Sequence, residues 1–99
     1  MRKVGDFWLE EGSVAAGEST VVELATNGPV TIAVAPAGGA TATVETTCAT
    51  LNTIRNGSPI WTPWASGAVT TNTEDSRQTP VTAVRITAAA GAVGYEIAQ

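Results

Sequence analysis

Polar and apolar side chains alternate along most of this chain, and turn residues interrupt the alternation at near-regular intervals. After Ala16-Gly17-Glu18, the segment Ser19-Thr20-Val21-Val22-Glu23-Leu24 has the period of two that marks a strand with one polar face. Thr26-Asn27-Gly28-Pro29 reads as a tight turn. Val30-Thr31-Ile32-Ala33-Val34-Ala35 then places Val30, Ile32 and Val34 on one side, and Pro36-Ala37-Gly38-Gly39 breaks it. Ala40 to Thr47 resumes the pattern, with Ala42 and Val44 opposed to Thr41, Thr43 and Glu45. Ala49 to Ile54 is a weaker strand leading into Arg55-Asn56-Gly57-Ser58, where Asn-Gly predicts a hairpin turn. Ile60 to Trp64 is a strand interrupted by Pro63, Gly67 to Thr71 adds a short one, and polar Asn72 to Pro80 is the longest loop. Val81 to Ala88 and Val93 to Ala98 read as a closing hairpin around Ala89-Ala90-Gly91-Ala92, with Val93, Tyr95 and Ile97 on one face.

Seven or eight short strands at this spacing predict an all-β fold, a single small β-sandwich or jelly-roll domain over residues 1–99. A small barrel, or a flatter sheet completed by a partner chain, has the same pattern. Phe7-Trp8-Leu9 precedes the first convincing strand, so residues 1–12 are expected to form an N-terminal arm docking on a neighbour. Nothing resembles an unbroken apolar leader or a membrane span, which places the expected synthesis in a cytoplasm.

Composition sharpens the picture. Ala (17), Thr (16), Val (11) and Gly (10) supply 54 of the 99 residues, and leucine occurs only at Leu9, Leu24 and Leu51. A core of such small side chains gains little per residue at about 25 cal/mol per Å². A domain of this size is therefore expected to need burial against other subunits. Five basic residues face nine acidic ones, a net charge of -4, and no basic stripe exists to displace the counterions of a nucleic acid. Histidine is absent, which removes Ser-His and Cys-His nucleophile pairs and nearly every zinc site. Lone Cys48 excludes an internal disulfide and reads as a buried or half-buried filler. The chain is expected to have no catalytic residue, metal or cofactor.

The remaining candidates are few. Glu10-Glu11 and Glu74-Asp75 are neighbours that point to opposite faces of a strand, unsuited to paired acid–base work. Asn72-Thr73-Glu74-Asp75-Ser76 is a loose approach to a calcium loop and is read as a solvated one. The aromatics are the unusual allocation: Phe7, Trp8, Trp61, Trp64 and Tyr95, with three tryptophans to one phenylalanine. Trp61-Thr62-Pro63-Trp64 sets two indoles three residues apart around a proline that suits a sheet edge or bend. Three readings stay open for the pair: stacking on sugar rings, anchoring a protein interface, or plugging the core. Arg85 lies opposite Val84 and Ile86, in position for an ion pair or an intersubunit contact. Phe7, Trp8, Trp61, Trp64 and Arg85 are the interface candidates.

The stretches Trp61–Thr70, Pro80–Thr87 and Gly94–Ile97 resemble small structural proteins of tailed bacteriophages. They are similar to the β-sandwich or jelly-roll pieces of capsid decoration proteins and tail components. The resemblance covers about the last 40 residues, extends to the Ala/Thr/Gly/Val-rich composition, and carries no functional residue with it. It implies a non-enzymatic virion protein, a decoration or cement protein that covers joints between capsid subunits. The expected partners are a major capsid protein or other virion proteins and further copies of itself, as a trimer, with no nucleic acid and no membrane. The alternative is a carbohydrate-binding tail or adhesin module using Trp61 and Trp64.

Overall fold

Eight strands pair as though the chain were first laid out as one long hairpin and then folded over. The structure, a computed structural model, describes residues 1–26 and 28–99. Its elements are β1 (Arg2–Val4), β2 (Phe7–Val14), β3 (Ser19–Glu23), β4 (Val30–Pro36), β5 (Thr41–Thr47), helix α1 (Leu51–Asn56), β6 (Thr62–Pro63), β7 (Thr73–Arg77), β8 (Ala83–Ala89) and β9 (Val93–Ala98). β2 pairs with β9, β3 with β8, β4 with β7 and β5 with β6, all antiparallel. β4 also pairs with β9, and β5 with β8. The result is two sheets, sheet A in the order β1-β2-β9-β4-β7 and sheet B in the order β3-β8-β5-β6. This nested order is that of a jelly roll, so the all-β expectation holds, with nine strands among the described residues where seven or eight were counted.

The alternation read in the sequence sets the core. Val30, Ile32 and Val34 of β4, with Val93 and Ile97 of β9 beside it in sheet A, face Ala42 and Val44 of β5 and Val84, Ile86 and Ala88 of β8 in sheet B, all buried. Most of these side chains are valine or alanine, and the largest buried one is Trp64, 5% exposed. Thr46 also points inward at 1% exposure, and its hydroxyl has no hydrogen-bond partner among the described residues.

Several expectations are corrected. Val81–Ala88 and Val93–Ala98 do not form a hairpin, because β8 lies in sheet B and β9 in sheet A. The chain crosses between the sheets at Ala89–Ala92, where Ala90 takes φ 60° and a Cβ on Gly91 would stand 2.9 Å from that of Ala40. The polar segment 72–80 contains β7, an edge strand in which Thr73, Asp75 and Arg77 face in and Glu74 and Ser76 face out; charges on an edge guard it against further pairing. Residues 49–54 lead into a helical turn: the Thr50 hydroxyl accepts from the Thr53 N–H at 3.2 Å and caps α1. Asn56-Gly57 ends that helix and makes no hairpin, and Gly57 is extended. The strand expected at Gly67–Thr71 is a single bridge, Ala42 to Val69. Cys48 is exposed, because Thr46 and Thr47 are buried in succession and the chain turns out of the sheet just after them. The turn expected at Thr26–Pro29 includes Asn27, which lies outside the described residues.

The first 12 residues lie within sheet A. β1 and β2 form a hairpin through Gly5-Asp6, with Gly5 at φ 61° in the loop position that a two-residue turn of the II′ kind reserves for glycine. β2 then pairs with β9 from Leu9↔Ala98 to Val14↔Val93. The strand signal in β2 is masked because its inward positions include Glu10, which holds the N-terminal ammonium at 3.0 Å, and Gly12. The Gly12 position is filled by Tyr95, whose hydroxyl would lie 2.7 Å from an added Cβ.

Two substitutions test this packing. Trp64→Ala empties the largest buried volume and should cost about 3–5 kcal/mol, much of a small domain's stability. Thr46→Val keeps the shape, removes the orphaned hydroxyl and should raise stability by about 1 kcal/mol. Chemical denaturation followed by tryptophan fluorescence measures both.

Candidate interaction surfaces

Alternation in β8 turns Arg85 to the outer face of sheet B, and the strand register places Val21 on one side of it and Glu45 on the other. Its Nη2 and Nε donate to the same Glu45 Oε1 at 2.8 and 3.1 Å. The guanidinium carbon stands 4.6 Å from the centroid of the Trp61 ring, within cation–π range. Arg85 therefore makes an ion pair inside its own chain, and one face of Trp61 is covered by it. Nearby, Arg55 of α1 grips Glu23 of β3 through two bonds of 2.8 and 2.7 Å. The Arg55 hydrogen bond, ahead of its charge, holds the Glu23 carboxyl below its ordinary value despite some desolvation. This clamp ties the only helix among the described residues to the edge of sheet B, whose outer carboxylates are thus matched by guanidinium groups.

Trp64 has the opposite fate from Trp61. Its ring fills the core and its Nε1 donates to the Gly67 carbonyl at 2.6 Å. Pro63 does sit at an edge, since β6 ends sheet B, but the two indoles part to opposite sides of that sheet. The two-indole sugar platform is not formed, and Trp64 is not a surface contact. The cause is volume: an interior of valine and alanine leaves a space that only the indole fills. No protein family, no curated protein and no solved structure matches this chain.

The most exposed apolar groups lie elsewhere. At the tip of the β1–β2 hairpin Phe7 is 61% and Val4 45% exposed, on the same outward face. Trp8, next to it, is half-buried, and its backbone exchanges hydrogen bonds of 3.0 and 2.9 Å with Gln99. The end of the chain thus braces the base of the hairpin. Ile60 is 83% exposed just before Trp61. The outer face of sheet A carries a trough of about 620 Å³ whose lining includes Ala33, Ala35 and Gly94. Across it, register sets Glu11, Glu96, Ala33 and Glu74 in one row. Glu11 and Glu96 are directly opposite, an arrangement that costs stability.

Of the residues singled out in the sequence, Phe7 and Trp8 share one place, Trp61 and Arg85 a second, and Trp64 stands apart in the core. The glutamate row was not legible because it depends on which distant strands are neighbours; Val4 and Ile60 stand where no alternating pattern marks them, at the end of the short β1 and outside the strands. Among the described residues, no group of three or more Cys, Asp or Glu side chains is arranged to hold a metal. Asp75 accepts from the Ser66 hydroxyl at 2.8 Å and the Ser76 N–H at 2.8 Å, and these bonds, the Ser66 one first, hold its carboxyl below the ordinary value. Burial, then the charge of Glu10, raises the Tyr95 hydroxyl above the usual phenol value, against a hydrogen bond with Thr20. No helix is long and apolar enough to cross a membrane among the described residues.

The lowered carboxyls give a pH dependence of definite sign. Glu23 and Asp75 bind protons more weakly folded than unfolded, so their stabilisation is present above the ordinary carboxylate range and is lost as the pH falls through it. The double variant Glu23→Gln, Asp75→Asn should show a flatter fall of melting temperature on acidification, read by circular dichroism melts at low salt.

Proposed function

We propose that this protein is a non-enzymatic structural component of a virion, a capsid decoration protein of the kind its C-terminal stretch resembles. The observation that carries the reading is the β1–β2 hairpin whose tip exposes Phe7 and Val4, braced at its base by the Trp8–Gln99 bonds. An ordered apolar side chain held in water is a contact waiting for a surface. The jelly-roll layout supports the reading as analogy only, since viral capsid domains and lectins share it. The mechanism is burial: each copy covers a joint between shell subunits and raises the cost of separating them. An interface on the order of 1,600 Å² suffices when repeated over a shell.

The reading is tested by titrating the protein onto shells that lack it. Phe7→Ala should weaken binding by about 2 kcal/mol, the scale of an interface hot spot, with an unchanged far-UV circular dichroism spectrum. A variant that binds as tightly as the parent, or a parent that does not bind at all, would remove the reading.

A further inference from the structure

At the open side of the sandwich, between the edge strands β6 and β7, two clefts meet at Thr46 and Arg77. One, of about 290 Å³, runs between Pro63–Trp64 and Asp75–Arg77. The other, of about 540 Å³, extends past Cys48 to Ile60 and Val81. Thr46 lines both, almost wholly buried, and its hydroxyl has no partner among the described residues. Arg77 lines both as well; its Nε donates to the Thr79 hydroxyl at 3.1 Å, and it forms none of the ion pairs found among the described residues. The cleft thus offers an apolar wall and a guanidinium over the buried Thr46, and it calls for an occupant with an apolar side chain and a carboxylate.

The β1–β2 tip presents that set. Exposed Phe7 and Val4 flank Gly5-Asp6, both exposed, and the Asp6 carboxylate enters none of the ion pairs found among the described residues. We infer that the hairpin tip of one copy seats in the β6–β7 cleft of the next, with Phe7 against the wall at Ile60 and Asp6 opposite Arg77. The register places donor and acceptor suitably. Leu9 pairs with Ala98, Ala98 with Thr31 and Thr31 with Ser76, so the tip and Arg77 lie toward the same end of sheet A, at its opposite edges. A contact between opposite edges at one end is heterologous, moves each copy sideways, and closes into a ring when the rotation permits. The inference rests on the assembly reading and names the partner of the hairpin as a second copy of this chain.

Sedimentation velocity on the purified protein, without shells, from micromolar to millimolar concentration, should show one closed oligomer. Asp6→Arg and Arg77→Glu should each raise its dissociation constant by about tenfold or more, and the double variant should recover most of that loss. Exposed Cys48 on the cleft wall gives a covalent readout: with oxidised glutathione, Asp6→Cys should trap an intermolecular disulfide ladder that stops at the ring size. Glu18→Cys, exposed elsewhere, should not. A parent that stays monomeric throughout, or an Asp6→Cys variant that links no faster than Glu18→Cys, overturns the inference. If such a monomer still coats shells through Phe7, only this inference falls; if closed oligomers form but never bind shells, the contact stands and the virion reading falls.

Discussion

Everything in this fold depends on pairing between the two halves of the chain. β2 lies against β9 and β3 against β8, so nearly every ladder joins residues far apart in sequence. No consecutive pair of strands from β2 to β5 shares a sheet. The turns between them therefore serve as corners between layers, as does the β8–β9 connection, where Ala90 adopts a left-handed conformation and Gly91 lies close to Ala40. The nested arrangement sets two layers face to face, and their facing side chains fix what the interior must contain.

The interior is where composition and fold meet. Two sheets packed through valine and alanine leave little apolar area per residue, and Trp64 supplies bulk where β6 is only two residues long. The indole nitrogen is satisfied by the nearby Gly67 carbonyl, so the large side chain enters without a stranded donor. Thr46 is the contrasting case: a valine-shaped side chain with a hydroxyl that the interior does not use. Polar atoms are retained in a dry place at a cost, and this one lies where the sandwich opens.

The sequence made one kind of information legible and hid another. In β4, β8 and β9 the buried face is continuous and apolar, and in β3 and β5 a single threonine, Thr20 or Thr46, shares it with valine or alanine, so alternation alone marks both the strands and which side is inward. Arg85, opposite Val84 and Ile86, could be placed outside and in reach of an ion pair for the same reason. Alternation fails where an inward position is not apolar: Glu10 and Gly12 in β2, Asp75 and Arg77 in β7. It is silent on which strands are neighbours. That is why a sequential hairpin was expected from β8 to β9, and why the glutamate row stayed invisible. The fate of the Trp61–Trp64 pair depended on how much space the interior left, a quantity no local pattern contains.

The two outer faces are electrically unlike. On sheet B, Glu45 and Glu23 are each held by an arginine, so that face is close to neutral. On sheet A, Glu11, Glu96 and Glu74 stand in a single row, and one cation, Arg2, shares that face with them among the described residues, so the face is left negative. Opposed in this way, the faces give the slab a dipole across its thin dimension, 21 Å against 33 Å in the other two. Near a negatively charged surface such a slab is turned so that sheet B faces inward and sheet A faces the solvent. Two copies are likewise prevented from stacking sheet A on sheet A, and added salt weakens both preferences over a Debye length of about 10 Å at 0.1 M. The charge pattern therefore acts as an orientation signal, effective before any close contact forms.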